Sequence, residues 1–319
     1  MGISKLLTMS DTKLDFSTSR TVIRDSWKNT VRQFRLTITR ARIESSPAEK
    51  VLLYFAVGAS LFISLFPFYL MTVASFAPRR FLYKTPPEII PKELTLESIR
   101  VILIAESFPF IRYLFNSAFI GVTAATLAVT ISILGAYSFA RLEYRGRGIF
   151  ARGVLVAYMF AGIVFVVPLF QMIVWAGWVD SYVGVIGVHF VFMIPLGLYL
   201  LGNFFRSIPR EIEEAAMIDG YSRFEVLLYI IIPMSMPAIV AVFLYTFLLS
   251  WNEYLYASIF IRSSELFTLP LGIERLPQSF DQAWGQVMAA SLLTTLPVFI
   301  MFIYLEKYML TGLKFGSMD

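Results

Sequence analysis

Most nucleophilic and metal chemistry in proteins rests on cysteine and histidine, and this sequence of 319 residues holds no cysteine and one histidine, His189. Thiolate catalysis, disulfides and Cys-based zinc sites are therefore excluded, and so is a zinc helix built on two histidines. No Gly-Lys dipeptide occurs, so a phosphate-cradling Walker A loop is absent too. Any ATP that serves this protein must be held by another chain. An enzyme would have to work with carboxylates or a Ser/Lys pair gathered into one site. The most informative polar stretch is instead 208–237, IPREIEEAAMIDGYSRFEVLLYIIIPMSMP, whose pattern is conformational rather than catalytic.

That stretch reads as two short helices joined at a glycine. Pro209 suits the first helical position, because its φ is already helical and the N–H it lacks would have no intrahelical partner. Glu211, Glu213 and Glu214 place negative charge at the positive end of the helix. Gly220 can take the left-handed conformation that ends it. Ser222 and Glu225 then have capping-box spacing. The second helix is expected to run to Pro233, with Pro237 restarting the chain. Ile212, Ala215, Ala216 and Ile218 leave a small-residue surface flanked by acids, which permits close approach of a partner.

The elements that position this loop are membrane spans. Hydrophobic residues make up 57% of the chain and charged residues 15%, against about 45–50% and about 25% in soluble domains. Six spans are expected, near Val51–Ser75, Asn116–Ala140, Gly153–Trp175, Val183–Phe205, Met236–Ser258 and Gln286–Glu306. Of the 27 Lys and Arg, nineteen fall on the side holding the N-terminal segment, the 208–237 loop and the tail, and eight on the other. This predicts a multi-pass protein with both termini in the cytoplasm. The net charge of +5 sits mainly in the first fifty residues and beside the spans, so membrane anchoring explains it and no nucleic acid is expected. Residues 1–50 read as a basic leader. Within it Ile23, Trp27, Val31, Phe34 and Ile38 recur at helical spacing beside Arg24, Lys28, Arg32 and Arg35. That pattern is either an interfacial amphipathic helix on anionic lipid or a charged leader that only sets topology. Residues 51–319 form the membrane domain, with the candidate loop at 206–235. The long loop from Phe76 to Tyr113, broken by five prolines, is either a docking surface or a cap.

The run Glu214, Ala215, Ala216, Gly220, Ile230 and Pro233 resembles the EAA loop of membrane permeases in binding-protein-dependent ABC importers, with Ile232 where that pattern usually has leucine. Further matches point to the carbohydrate branch and its maltose-type second permease. They are Asn116-Ser117, Ala136-Tyr137, Ala140-Arg141-Leu142, Gly146-Arg147, Pro168-Leu169, Gly177-Trp178, Trp251-Asn252-Glu253, Thr268-Leu269-Pro270, and Gly312-Leu313-Lys314 with Gly316. The resemblance covers about Val51 to Asp319; the basic leader is longer than the family's. It implies an all-α, six-helix MetI-like fold and a permease subunit that catalyses no covalent chemistry. It also implies that Glu214, Ala215, Ala216, Asp219 and Gly220 couple to the ATPase, with Ala215 and Ala216 as packing face, Glu214 as polar contact and Gly220 as turn. The implied partners are a second homologous permease, two ATPase subunits that bind the ATP and Mg, and an extracytoplasmic solute-binding protein. The implied cargo is a sugar or oligosaccharide, carried by alternating access across a prokaryotic cell membrane. No cofactor or metal is expected in this chain.

Other residues carry open alternatives. Asn252 and Glu253 either line the substrate pathway or tie the fifth span to a neighbour. His189 is either functional or a neutral imidazole bonded to an adjoining helix. Arg141, Arg145 and Arg147 read as topology anchors. Trp175, Trp178, Trp251 and Trp284 read as an interfacial belt, and Pro168, Pro195 and Pro297 as span kinks. A secondary transporter would be expected to show internal repeats or paired charges, and neither is convincing here.

Overall fold

The computed structural model describes residues 47–78, 93–104, 108–159, 162–276 and 283–315, and these contain helices and no strand. The amphipathic pattern at 23–38 and residues 79–92 and 105–107 of the long loop lie outside the described residues. The chain divides into two compact units at Pro67, the first Met1–Pro67 and the second Phe68–Asp319. Helix α1, Pro47–Phe76, carries that proline inside it.

The remaining elements belong to the second unit. They are α2 (Glu97–Ile104), α3 (Phe110–Arg141), α4 (Arg147–Met159), α5 (Val166–Trp175) and α6 (Tyr182–Ser207), followed by α7 (Arg210–Ile218), α8 (Arg223–Met234) and α9 (Met236–Trp251). Short helices α10 (Leu255–Phe260) and α11 (Leu269–Glu274) precede α12 (Ala283–Phe315). Four described stretches are long and apolar enough to cross a membrane: Lys50–Phe76, Phe110–Arg141, Tyr182–Ser207 and Trp284–Tyr308. They match the first, second, fourth and sixth expected spans.

The third and fifth expectations need correction. The stretch expected as one span at Gly153–Trp175 contains the end of α4, a 3-10 turn at Gly162–Phe165, and α5. Pro168 sits in the first turn of α5, where its missing N–H has no intrahelical role, so it does not kink a continuous span. The fifth helix stops at Trp251 rather than Ser258 because the Glu253 carboxylate accepts the N–H groups of Tyr256, at 2.7 Å, and Ala257, at 3.2 Å. Those are the free donors of a new helix start, so the same side chain that follows α9 opens α10. At its other end α9 bends by 78° from α8, and by length and composition the two pass as a candidate span only when taken together. The bend follows Pro233, and a π-helical turn at Leu227–Ile231 widens the backbone just ahead of it.

Helices α3 and α6 form the centre of the second unit. Ala124, Ala128, Ser132, Ala136 and Ala140 recur every fourth residue along α3, and all are buried. Small side chains let helix backbones approach, which is how apolar helices associate where lipid offers no hydrophobic incentive. A Cβ on Gly197 of α6 would stand 2.3 Å from Ser132 Oγ, so glycine is required for this spacing. Pro195 lies inside α6 and Pro297 inside α12 without interrupting either helix.

Trp251 also departs from expectation. It is 3% exposed and packs on Phe247, in a core with Phe108, Tyr113 and Leu269, so it is no belt residue. Trp175, at 92% exposed, with Trp178 and Trp284, retains the open position a belt requires.

Candidate functional site

The loop between α6 and α9 is built by local rules that hold at atomic level. Pro209 is the residue before the first helical turn rather than within it, with φ −57° and ψ 135°, and Arg210 opens α7. Glu211 and Glu213 stand in that first turn. Asp219 closes the helix, and Gly220 takes φ +95°, the left-handed turn expected of it. Ser222 then caps α8: Glu225 N–H donates to Ser222 Oγ at 3.4 Å, and Ser222 N–H donates to Glu225 Oε2 at 2.8 Å. The Ser222 hydroxyl, then its N–H, hold the exposed Glu225 carboxyl below its ordinary value.

Helix α7 has an inner and an outer face. Ala216 is 7% exposed and sits in a core with Tyr137, Phe205, Val226 and Leu227, so it packs within its own chain. This corrects the expectation that Ala215 and Ala216 together face a partner: Ala215 is exposed, whereas Ala216 is covered by its own chain. Glu214, Ala215, Asp219 and Gly220 are exposed, and the apolar element of the outer face is Ile218, 86% exposed. Tyr221 and Phe224 extend that surface past the turn.

The inner face is fixed by a buried ion pair that the charge rule did not reveal. Arg141, the last residue of α3, pairs through Nε with Oε1 of Glu213 in α7, both side chains less than a tenth exposed. Its Nη2 also donates to the carbonyl of Ile208, the residue that closes α6, at 2.7 Å. The Tyr137 hydroxyl lies 3.5 Å from Glu213 Oε2. Arg141 is therefore no topology anchor. Its position was readable in principle, because Ala125, Val129, Tyr137 and Arg141 share one i, i+4 row with the buried face of α3. Arg147 does lie near α3's end, donating to the carbonyls of Ala140 and Leu142 at 3.4 and 3.3 Å, as a cation at a helix C-terminus should. A cavity of about 500 Å³ opens beside the ion pair, lined by Glu143, Arg210, Glu214, Met217 and Arg223 among others.

Two further polar sites lie elsewhere in the second unit. Asn116 Nδ2 donates to the carbonyls of Glu265 and Phe267 at 2.8 and 2.9 Å, and its Oδ1 accepts the Tyr182 hydroxyl at 2.8 Å. Ser117 Oγ accepts the N–H of Leu269 at 2.7 Å. Two motifs separated by about 150 residues in sequence thus meet in space. His189 Nδ1 lies 2.6 Å from Ser250 Oγ, and Nε2 lies 3.1 Å from Glu253 Oε2. The imidazole thus joins α6 to the end of α9. Asn252 is exposed and donates to the Leu248 carbonyl at 2.9 Å. Among the described residues no three His, Asp or Glu side chains gather into a possible metal site.

The sequence of residues 128–308, from the middle of α3 into α12, matches the family described as binding-protein-dependent transport system inner membrane component. The chain belongs to this family. As such a permease it is the membrane-spanning component of an ABC importer, which works with ATPase subunits and a solute-binding protein, and it hydrolyses no ATP itself. The permease is 39% identical over 264 residues to the inner membrane ABC transporter permease protein YcjP of Escherichia coli (strain K12), covering 83% of this chain and 94% of that one. It is 35% identical over 271 residues to the trehalose/maltose transport system permease protein MalG of Thermococcus litoralis, covering 85% and 97%. Its fold is similar to a chain of a bacterial ABC transporter involved in the import of the acidic polysaccharide alginate, with TM-score 0.68, 21% identity, and coverage of 83% and 98%.

Proposed function

We propose that the permease is one half of a sugar or oligosaccharide importer and that α7 is its coupling helix. The observation that carries the coupling assignment is the division of α7 into a clamped inner face and an open outer face of Glu214, Ala215, Ile218 and Asp219. In this reading Ala215 and Ile218 pack in a groove of the ATPase, Glu214 and Asp219 supply polar contacts at its rim, Gly220 sets the turn, and Ala216 anchors the helix from behind. ATP and Mg stay in the two ATPase subunits. A second, homologous permease completes the pathway, and a solute-binding protein delivers the cargo on the opposite side.

Six crossings are proposed, with α4 and α5 together as the third and α9 as the fifth. Both termini and α7 face the cytoplasm of a prokaryotic cell, and residues 1–50 form the basic leader ahead of the 51–319 permease domain. The charge asymmetry supports this orientation. Sugar as cargo rests on relatives named for trehalose/maltose and for diacetylchitobiose. For the pathway, Asn252 is the exposed candidate. Glu253 acts on it indirectly, because His189 and two backbone N–H groups already occupy its carboxylate.

The test is purification of the tagged permease from its host in mild detergent, with uptake of labelled maltose, trehalose and diacetylchitobiose measured in cells. The expected result is that an ATPase and a second permease co-purify and that one of the sugars accumulates, while Ala215→Glu releases the ATPase from a permease that still inserts. A permease whose ATPase stays bound and active with Ala215→Glu would overturn the coupling assignment. Accumulation of none of these sugars, with an intact complex, would point to a different solute.

A further inference from the structure

We infer that Arg141 is the positioning residue that makes the coupling helix move as one body with α3 and α6. The inference rests on the assignment of α7 as the coupling helix. One guanidinium reaches three elements: it ends α3, it donates to the carbonyl that closes α6, and it pairs with a carboxylate in the first turn of α7. Both charges are buried, so removing either leaves the other without a partner in a poorly solvating site, a far larger effect than losing a surface pair. A planar fork serves two acceptors in fixed directions, which a lysine ammonium cannot reproduce.

The loop's other junction is built differently. Between α7 and α9 stand a left-handed glycine, a π-turn and a 78° bend at Ser235. No described ion pair crosses that bend. A displacement delivered to the outer face of α7 therefore passes into α3 and α6 through Arg141, beside the core that holds Ala216, and the change of angle relative to α9 is taken up around Ser235. The exposed Arg210–Glu143 pair, at 3.4 Å, also links α7 to the end of α3 but is half or more open to solvent and contributes little.

The experiment uses the intact importer, with its ATPase, second permease and solute-binding protein, in lipid nanodiscs. The chain's lack of cysteine allows spin labels at Arg145→Cys and Glu211→Cys, both exposed. In otherwise native complexes the label distance is expected to be narrow and the same without nucleotide and with ATP plus vanadate. With Arg141→Ala the ATPase should stay attached and keep its basal hydrolysis, the distance should broaden and depend on nucleotide, and stimulation of hydrolysis by the solute-binding protein should fall on the order of tenfold. Arg141→Lys should be intermediate. A native distance that changes between the two nucleotide states, or Arg141→Ala and Arg141→Lys complexes with full stimulation, would overturn the inference. If the alanine variant fails to assemble, the native distances and the lysine variant still decide it. Failure of the underlying assignment looks different: Ala215→Glu would then leave the ATPase bound.

Discussion

Asp180 is the only described non-glycine residue with positive φ, at +56°. Its backbone N–H donates to the Phe260 carbonyl at 2.8 Å, and its Oδ1 accepts the N–H groups of Arg262 and Ser263 at 2.8 and 2.9 Å. Its Oδ2 accepts the Ser263 hydroxyl. These donors, the Ser263 hydroxyl foremost, hold the carboxyl below its ordinary range. A depressed carboxylate contributes fully above its unfolded pKa and loses that contribution as pH falls through the lower folded value. Exchange protection of the Arg262 and Ser263 amides should therefore persist through mild acid and disappear only below the ordinary aspartate range. Asp180→Ala should lose protection at every pH, whereas Asp180→Asn, which tolerates the left-handed region, should keep a weaker, pH-independent tie. Loss of native protection at pH 5 would contradict this role. Nothing in the sequence marked Asp180, because its three partners come from about 82 residues further on. Gly220, Ser222 and Glu225 were legible for the opposite reason: each acts within three residues of itself. Arg141 was misread because a cation beside an apolar span satisfies the charge rule whether it faces lipid headgroups or a buried carboxylate.

At the level of elements, the α3–α6 contact makes the sharpest demand. Gly197 meets Ser132, whose Oγ would lie 2.3 Å and whose Cβ would lie 2.8 Å from an added Cβ. Gly197→Ala should destabilise the detergent-solubilised protein by about 1–3 kcal/mol through overpacking. The double variant Gly197→Ala with Ser132→Gly should recover most of that, since the next neighbour, Val242, is at an ordinary 3.7 Å. Thermal unfolding in detergent reads both; a single variant as stable as the native protein would mean the helices can slide apart without cost. Long uninterrupted spans were legible because length and apolar composition suffice to define them. The third and fifth were not: a 3-10 turn at Gly162–Phe165 interrupts the third, and a carboxylate capping a new helix start ends the fifth.

For the whole molecule, orientation carries the prediction. Cysteine introduced at Arg145 or at Arg262 would be the only thiol in the chain. In intact cells a membrane-impermeant maleimide should label the cysteine at 262 and spare the one at 145, which should react only after the membrane is opened. The reverse pattern would invert the orientation and remove α7 from the side on which the proposed coupling needs it. That expectation rests on nineteen cations against eight. The meeting of Asn116 and Ser117 with the 265–269 segment was not legible, although each half was recognised as a motif, because a single sequence does not show which distant motifs touch.

Helix α9 has 16 residues, which at about 1.5 Å per residue is about 24 Å, against a hydrocarbon thickness of about 30 Å. A kinked boundary at Ser235 and the Glu253 cap stop it from lengthening at either end. With α9 as the proposed fifth crossing, the lipid beside it shortens to meet it, so acyl-chain length enters the energetics of the protein as directly as any side chain, with thicker bilayers working against the native arrangement.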